Sequence, residues 1–145
     1  MSYQFVPKFI ENNNQIGLGI AYNFQHPGVF NTNYSSNQQA LDNLKNLLLT
    51  SKGERYHNMK FGSDLPYIIF EPNVSELKEE ITETILSAVS TWLPYINITS
   101  IDIITAEDNP DLTHNIQITI RFSIDSIVED KIVIFAQETG ILTIE

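Results

Sequence analysis

The chain has 145 residues, a formal net charge of −10, only 8 lysines and arginines, and no cysteine. Such acidity speaks against nucleic acid, whose phosphates need clustered Lys and Arg, and the missing cysteines remove disulfides, thiolate catalysis and zinc–thiolate sites. The size suits one domain, and 42% hydrophobic against 18% charged residues marks a globular chain. A cysteine-free chain fits a reducing cytoplasm. No apolar run approaches the roughly 20 residues of a membrane span. The start, MSYQFVPKFIENNN, lacks the basic flank and continuous apolar stretch of a secretion signal.

Residues 1–15 read as an extended arm, with Phe5, Phe9 and Ile10 around Pro7 and a turn at Asn12-Asn13-Asn14. Ile16, Leu18, Ile20, Tyr22 and Phe24 then alternate with small or polar residues, which predicts a strand with one buried face. Gly17 and Gly19 weaken it and mark an edge strand or a close approach of another backbone. His26-Pro27-Gly28 turns the chain into an Asn-rich loop ending near Ser35.

The first long helix is expected over about Asn37 to Lys52. Ser36 with Gln39 three positions on is a capping-box pattern, and Leu41, Leu44, Leu47 and Leu48 form one apolar stripe. Gly53 is expected as its left-handed C-cap. Asp64 followed by Leu65 and Pro66 predicts an N-cap and a short helical turn through Phe70, which Pro72 separates from the next helix. That second long helix is expected from about Val74 to Leu93, with Asn73 and Glu76 as a cap pair. Its stripe is Val74, Leu77, Ile81, Ile85, Ala88 and Trp92, glutamates fill the other faces, and Pro94 ends it.

From there the chain turns to β. Ile96, Ile98, Ile101 and Ile103 predict a strand whose phase slips near Thr99-Ser100, the signature of a bulge. Asp108-Asn109-Pro110-Asp111 is a turn. Residues 115–125 alternate, with Ile116, Ile118, Ile120, Phe122 and Ile124 on one face and Gln117, Thr119, Arg121 and Ser123 on the other. A further strand over Lys131 to Gln137 and a tail from Ile141 to Ile144 flank Thr139-Gly140. The order predicts an α+β fold: a single domain of residues 16–138, with two main helices packed on one face of a mostly antiparallel sheet. Residues 139–145 are expected to form a C-terminal strand or arm.

Candidate chemistry begins with carboxylates. A lysozyme-type glycosidase needs two of them, one with a raised pKa, flanking a cleft. Glu54 and Glu71 alone have distinctive local settings, but Arg55 follows Glu54, and a neighbouring cation favours the charged form, the wrong direction for an acid catalyst. Glu71 precedes Pro72, where an acceptor ordinarily satisfies backbone. His26, His57 and His114 are scattered and make no ligand pair, the Asp108–Asp111 turn lacks the EF-hand order, and no serine sits in a nucleophile elbow. The reading is no metal and no cofactor. Arg55, one of few arginines in an acidic chain, is expected as a buried or interfacial bidentate clamp on a carboxylate or carbonyls. Trp92 is expected in the core, with its indole N–H bonded to backbone near the helix end.

The stretch from Leu47 to Pro72 carries a resemblance. A leucine-rich helix end is followed by Thr50, Gly53, Glu54 and Arg55, then Phe61-Gly62, then Leu65 and Phe70-Glu71. Together and in this order they resemble the small baseplate-wedge family of contractile phage tails, which includes a baseplate subunit of type VI secretion systems and whose members are often labelled lysozyme-like. The resemblance covers roughly Gly17 to Phe135. It implies a non-enzymatic subunit of the virion tail baseplate, assembled in the host cytoplasm. That subunit joins the helical core bundle of the other wedge subunits to the first ring of tail sheath protein and starts sheath assembly by strand addition. No membrane or nucleic-acid partner is implied. One departure stands out: many members carry Glu-Pro-Arg at the end of the second long helix, implicated in gripping the core bundle, and here the same place reads Leu93-Pro94-Tyr95. The proline remains and both charges are gone, so docking there would use apolar and aromatic contacts. The alternative from another class is a peptidoglycan-cleaving glycosidase, which the carboxylate argument disfavours.

Overall fold

The computed structural model describes residues 17–21, 32–70, 74–105, 108, 115–124, 128–137 and 142–144. The expected N-terminal arm, the His26–Gly28 turn, the Asn73 cap, Glu71 and most of the Asp108–Asp111 turn lie outside the described residues. Contacts divide the chain into two compact units, Met1–Asp42 and Asn43–Glu145.

In the first unit a two-residue strand, β1 (Gly19–Ile20), pairs antiparallel with β2 (Thr32–Asn33). Both glycines are closely approached: a Cβ on Gly19 would push aside the side-chain amide of Gln39, and one on Gly17 would meet the Thr32 methyl at 2.6 Å. The close neighbours are thus side chains, whereas the sequence pattern suggested backbone. Helix α1 (Ser36–Leu49) begins one residue before its expected start, and the Ser35 carbonyl accepts the first helical bond from the Gln39 N–H at 3.0 Å. The side-chain oxygen of Gln39 accepts from Asn33 Nδ2 at 3.1 Å. Asn33 also donates to Asp42 at 2.6 Å, and Asp42 is a buried carboxylate that hydropathy patterning could not single out.

In the second unit, α1 contributes Leu44, Leu47 and Leu48, all fully buried. The residue that begins the stripe in the first unit is Ala40, and the expected Leu41 is only half-buried. The helix stops at Leu49, four residues before Gly53, so Gly53 is not its C-cap; it sits in the adjoining loop, at φ +89°. The Asn46 carbonyl accepts from both the N–H and the hydroxyl of Thr50, at 3.2 and 2.6 Å, and beyond it the Gly53 N–H turns away from the helix to donate to Met59 O. After that loop comes α2 (Leu65–Ile68), with Asp64 as N-cap and proline in its first turn. Asp64 makes no side-chain cap bond; its carboxylate pairs with Lys52. Next is α3 (Val74–Trp92), which buries Leu77, Ile81, Ile85, Ala88 and Val89 and stops ahead of Pro94.

The rest of the chain is a four-stranded antiparallel meander in spatial order β3-β4-β5-β6: β3 (Ile96–Ile104), β4 (Asn115–Ile124), β5 (Val128–Gln137) and β6 (Leu142–Ile144). The β3–β4 register shifts between Ile98 and Ser100, which makes Thr99 the bulged residue. On β4, Ile118, Ile120, Phe122 and Ile124 are buried. Ile132, Ile134 and Ala136 continue that face onto β5. The helices cover this one face, and the architecture is α+β. β5 starts three residues earlier than the apolar run beginning at Lys131, because its pairing with β4 extends to Val128 opposite Ile124. β6 folds back onto the chain's own sheet, pairing with β5 from Ile134 to Ala136.

Candidate partner-binding site

The loop from Thr50 to Asp64 is built around one crossing. Ser51 and Ser63 form an isolated parallel bridge, and the Ser63 N–H donates to the Thr50 carbonyl at 2.9 Å. Ser63 is fully buried and donates its hydroxyl to the Leu48 carbonyl at 3.0 Å, satisfying an acceptor that the end of α1 leaves open. For the two segments to come this close, Gly62 adopts φ +118°, and a Cβ there would collide with the Thr50 carbonyl. Only glycine suits that position. Between the crossing segments the loop is tied by the Gly53 N–H donating to Met59 O at 2.8 Å and by Glu54, whose Oε2 accepts from the Ser51 N–H at 3.0 Å.

Arg55 differs from its expected role. It is exposed, lies 3.7 Å above the Phe61 ring and donates one hydrogen bond, from Nη2 to the side-chain oxygen of Asn46 at 3.1 Å. Among the described residues it is a clamp made by ring stacking and one side-chain amide, with neither a carboxylate nor a bidentate geometry. The planar guanidinium suits an aromatic face as well as it suits a fork of oxygens. Phe61 in turn meets Trp92 edge-on, with centroids 5.2 Å apart. Trp92 therefore does not lie in the core. It is half-buried at the end of α3, and its indole N–H makes no hydrogen bond among the described residues. Asn46, Arg55, Phe61 and Trp92 form one layered stack at the rim of a surface groove.

Beyond the helix end, Leu93 is buried and donates its N–H to Val89 O, so it caps the core and is withdrawn from the surface. Pro94 and Tyr95 are exposed, and the Tyr95 hydroxyl accepts from Asn43 Nδ2 at 2.9 Å. Phe70 and Tyr67 are exposed on α2 and just after it. The structure thus brings Gly53, Glu54, Arg55, Phe61, Gly62 and Trp92 together and leaves Phe70 and Tyr95 as separate exposed aromatics. Sequence reasoning missed Asn46 and Ser63. No local signal points to either, since their roles depend on partners nine and fifteen residues away.

The groove beside the stack lies between this loop and α3, with Lys52, Lys60, Glu80, Glu83 and Trp92 among its walls. Asp64, the other carboxylate there, is held by Lys52. Among the described residues no group of three or more His, Asp or Glu is placed to hold a metal ion. None of the described helices is long and apolar enough to cross a membrane. Asp108, after β3, accepts from Lys78 Nζ at 2.7 Å and from the Thr105 N–H and hydroxyl at 3.0 Å each. These donors hold its carboxyl near pKa 2, well below the usual carboxylate range.

The fold matches a solved structure from Geobacter sulfurreducens, a protein named as a tail lysozyme, with a TM-score of 0.59 and 19% identity over 68% of this chain and 87% of that one. At that identity the likeness speaks for the fold alone. No protein of curated function matches the chain. The family model for baseplate wedge protein gp25 matches residues 35–127, which span α1, the loop and its crossing, α2, α3, β3 and β4. With most of the chain and every residue of the stack inside that match, the chain belongs to the baseplate wedge protein gp25 family, a family of structural components of the phage tail baseplate.

Proposed function

We propose that this protein is a non-enzymatic subunit that joins the wedge core bundle to the first sheath ring of a contractile tail and initiates sheath assembly by strand addition. The observation that carries the reading is what the motif residues do. Gly62 permits the crossing, Glu54 satisfies the Ser51 N–H, and Arg55 stacks on Phe61. Each is occupied in holding a loop shape. Glu54, the carboxylate a glycosidase would most need, is exposed and bonded to backbone, the opposite of the apolar pocket that raises a catalytic acid's pKa.

Two further features support an assembly role. The outer edge of β3 has no partner among the described residues, and β6 covers only three residues of the ten-residue β5. Such edges suit β-augmentation. The exposed Pro94 and Tyr95 fit docking to the core bundle through apolar and aromatic contacts, with Leu93 beneath them as support. In this reading residues 1–15 are an arm and residues 139–145 a C-terminal strand or arm on a 16–138 domain, and the protein resides in the virion baseplate after assembly in the host cytoplasm.

The test pairs two assays on the purified protein. Peptidoglycan hydrolysis is expected to stay at background for wild type and for Glu54→Gln alike. Sheath initiation on reconstituted wedges is expected to fall when residues 139–145 are deleted and when Tyr95 is replaced by Ser. A wild-type hydrolysis rate abolished by Glu54→Gln or Glu71→Gln would replace this reading with the glycosidase. Undiminished sheath initiation after the deletion would remove the C-terminal arm from it.

A further inference from the structure

The groove between α3 and the Thr50–Asp64 loop has a volume of about 540 Å³, and neither the sheet edges nor Pro94-Tyr95 contribute to it. Its helix wall is one face of α3, running at spacings of three and four from Glu80 to Trp92. At 1.5 Å per residue that wall is about 18 Å long, three helical turns. The floor is shallow in side chains, because Gly62, Ser63 and Ala88 are small and buried, so a rod can lie close to it.

The two ends of the groove differ chemically. At one end Trp92 is half-buried against Phe61 and carries an indole N–H with no acceptor among the described residues. Tryptophan in that setting, amphipathic and rigid, is the residue type that anchors interfaces. At the other end Glu80 and Glu83 are exposed and make no ion pair among the described residues. Lys52 is paired with Asp64, which leaves Lys60 as the one other lysine among the described residues that line the groove, against Glu80 and Glu83, in a chain of net charge −10. The field in the groove favours a cation near Glu80.

We propose that this groove docks an amphipathic helix of another protein, with lysine or arginine over Glu80 and Glu83 and a large apolar residue against Trp92. The occupant is a helix because α3 already uses its own backbone groups and offers no ladder for a strand to extend, whereas a groove along one helix face with a floor of small residues is what another helix fits. The proposal deepens the assembly reading and rests on it only for the source of the helix; the surface is separate from Pro94-Tyr95 and from the sheet edges.

The experiment uses the full chain and a synthetic leucine–lysine amphipathic helix as probe, with a leucine–glutamate counterpart as control. Trp92 is the only tryptophan, so its emission reports the groove. Addition of the lysine peptide is expected to give a saturable blue shift. Glu80→Lys with Glu83→Lys is expected to weaken binding about tenfold or more, the size of two reversed surface charge pairs. Ser87→Phe, which plugs the groove without changing charge, is expected to weaken it likewise. Asp102→Lys, on the sheet, is expected to leave it unchanged. No shift with the lysine peptide, equal binding of the glutamate peptide, or equal loss in Asp102→Lys would overturn the proposal. The titration needs no baseplate, so its failure and a failure of sheath initiation are told apart.

Discussion

Replacing Gly62 by alanine isolates the physics of the loop crossing. Gly62 sits at φ +118°, a region that L-residues other than glycine enter at a cost of about 1–3 kcal/mol. An added Cβ would also overlap the Thr50 carbonyl and lie 3.0 Å from the Ser51 carbonyl carbon, both of them backbone, so no side-chain rotation relieves the clash. Relief must come from separating the segments, which breaks the Ser63 N–H to Thr50 bond and loosens the buried Ser63 to Leu48 bond. Each is worth about 1 kcal/mol net. Together the loss is about 3–5 kcal/mol, a large part of the roughly 5–15 kcal/mol typical of a domain. Gly53→Ala is the internal control. Its φ is also positive, at +89°, but a Cβ there meets nothing within 4 Å, so only the conformational cost of about 1 kcal/mol applies. Urea unfolding of both variants measures the difference through the midpoint at unchanged slope. Equal midpoints for Gly62→Ala and Gly53→Ala would refute the steric argument.

Arg55→Ala is expected to cost only about 1 kcal/mol, the sum of an exposed cation–π contact and one hydrogen bond, and to shift Trp92 emission by loosening Phe61; a thermal melt with fluorescence reads both. Phe122→Ala is expected to lose about 3–5 kcal/mol, since this ring is fully buried under the helices, and urea unfolding measures it. Asp108 titrates below its ordinary range, so its contribution to stability is fully present above about pH 4 and disappears as pH falls through about 2. The stability gap between wild type and Asp108→Asn, followed by acid unfolding, is expected to close over that window; a gap constant down to about pH 2 would show that Lys78 and Thr105 do not set it.

Those parts of the molecule whose geometry is local were legible in the sequence. Period-two alternation named Ile116, Ile118, Ile120, Phe122 and Ile124 as one face, of which all but the half-buried Ile116 are buried, because alternate strand residues must point to opposite sides of a sheet. The phase slip near Thr99 located the bulge, and Pro94 bounded α3 through its missing N–H. The ordered Thr50, Gly53–Arg55 and Phe61–Gly62 pattern pointed to the family. What those residues touch was set by tertiary contacts. Gly53 lies beyond the helix end, with its N–H given to Met59 O across the loop. Arg55 found Asn46 and Phe61, with no carboxylate partner among the described residues, and Trp92 stayed half-exposed with the loop residue Phe61 against its ring. Ser63 and Asp42 were buried by hydrogen bonds to residues distant in sequence. Periodicity tells which face a side chain occupies; what comes to lie on that face is settled by contacts between segments far apart along the chain, and no local pattern records those.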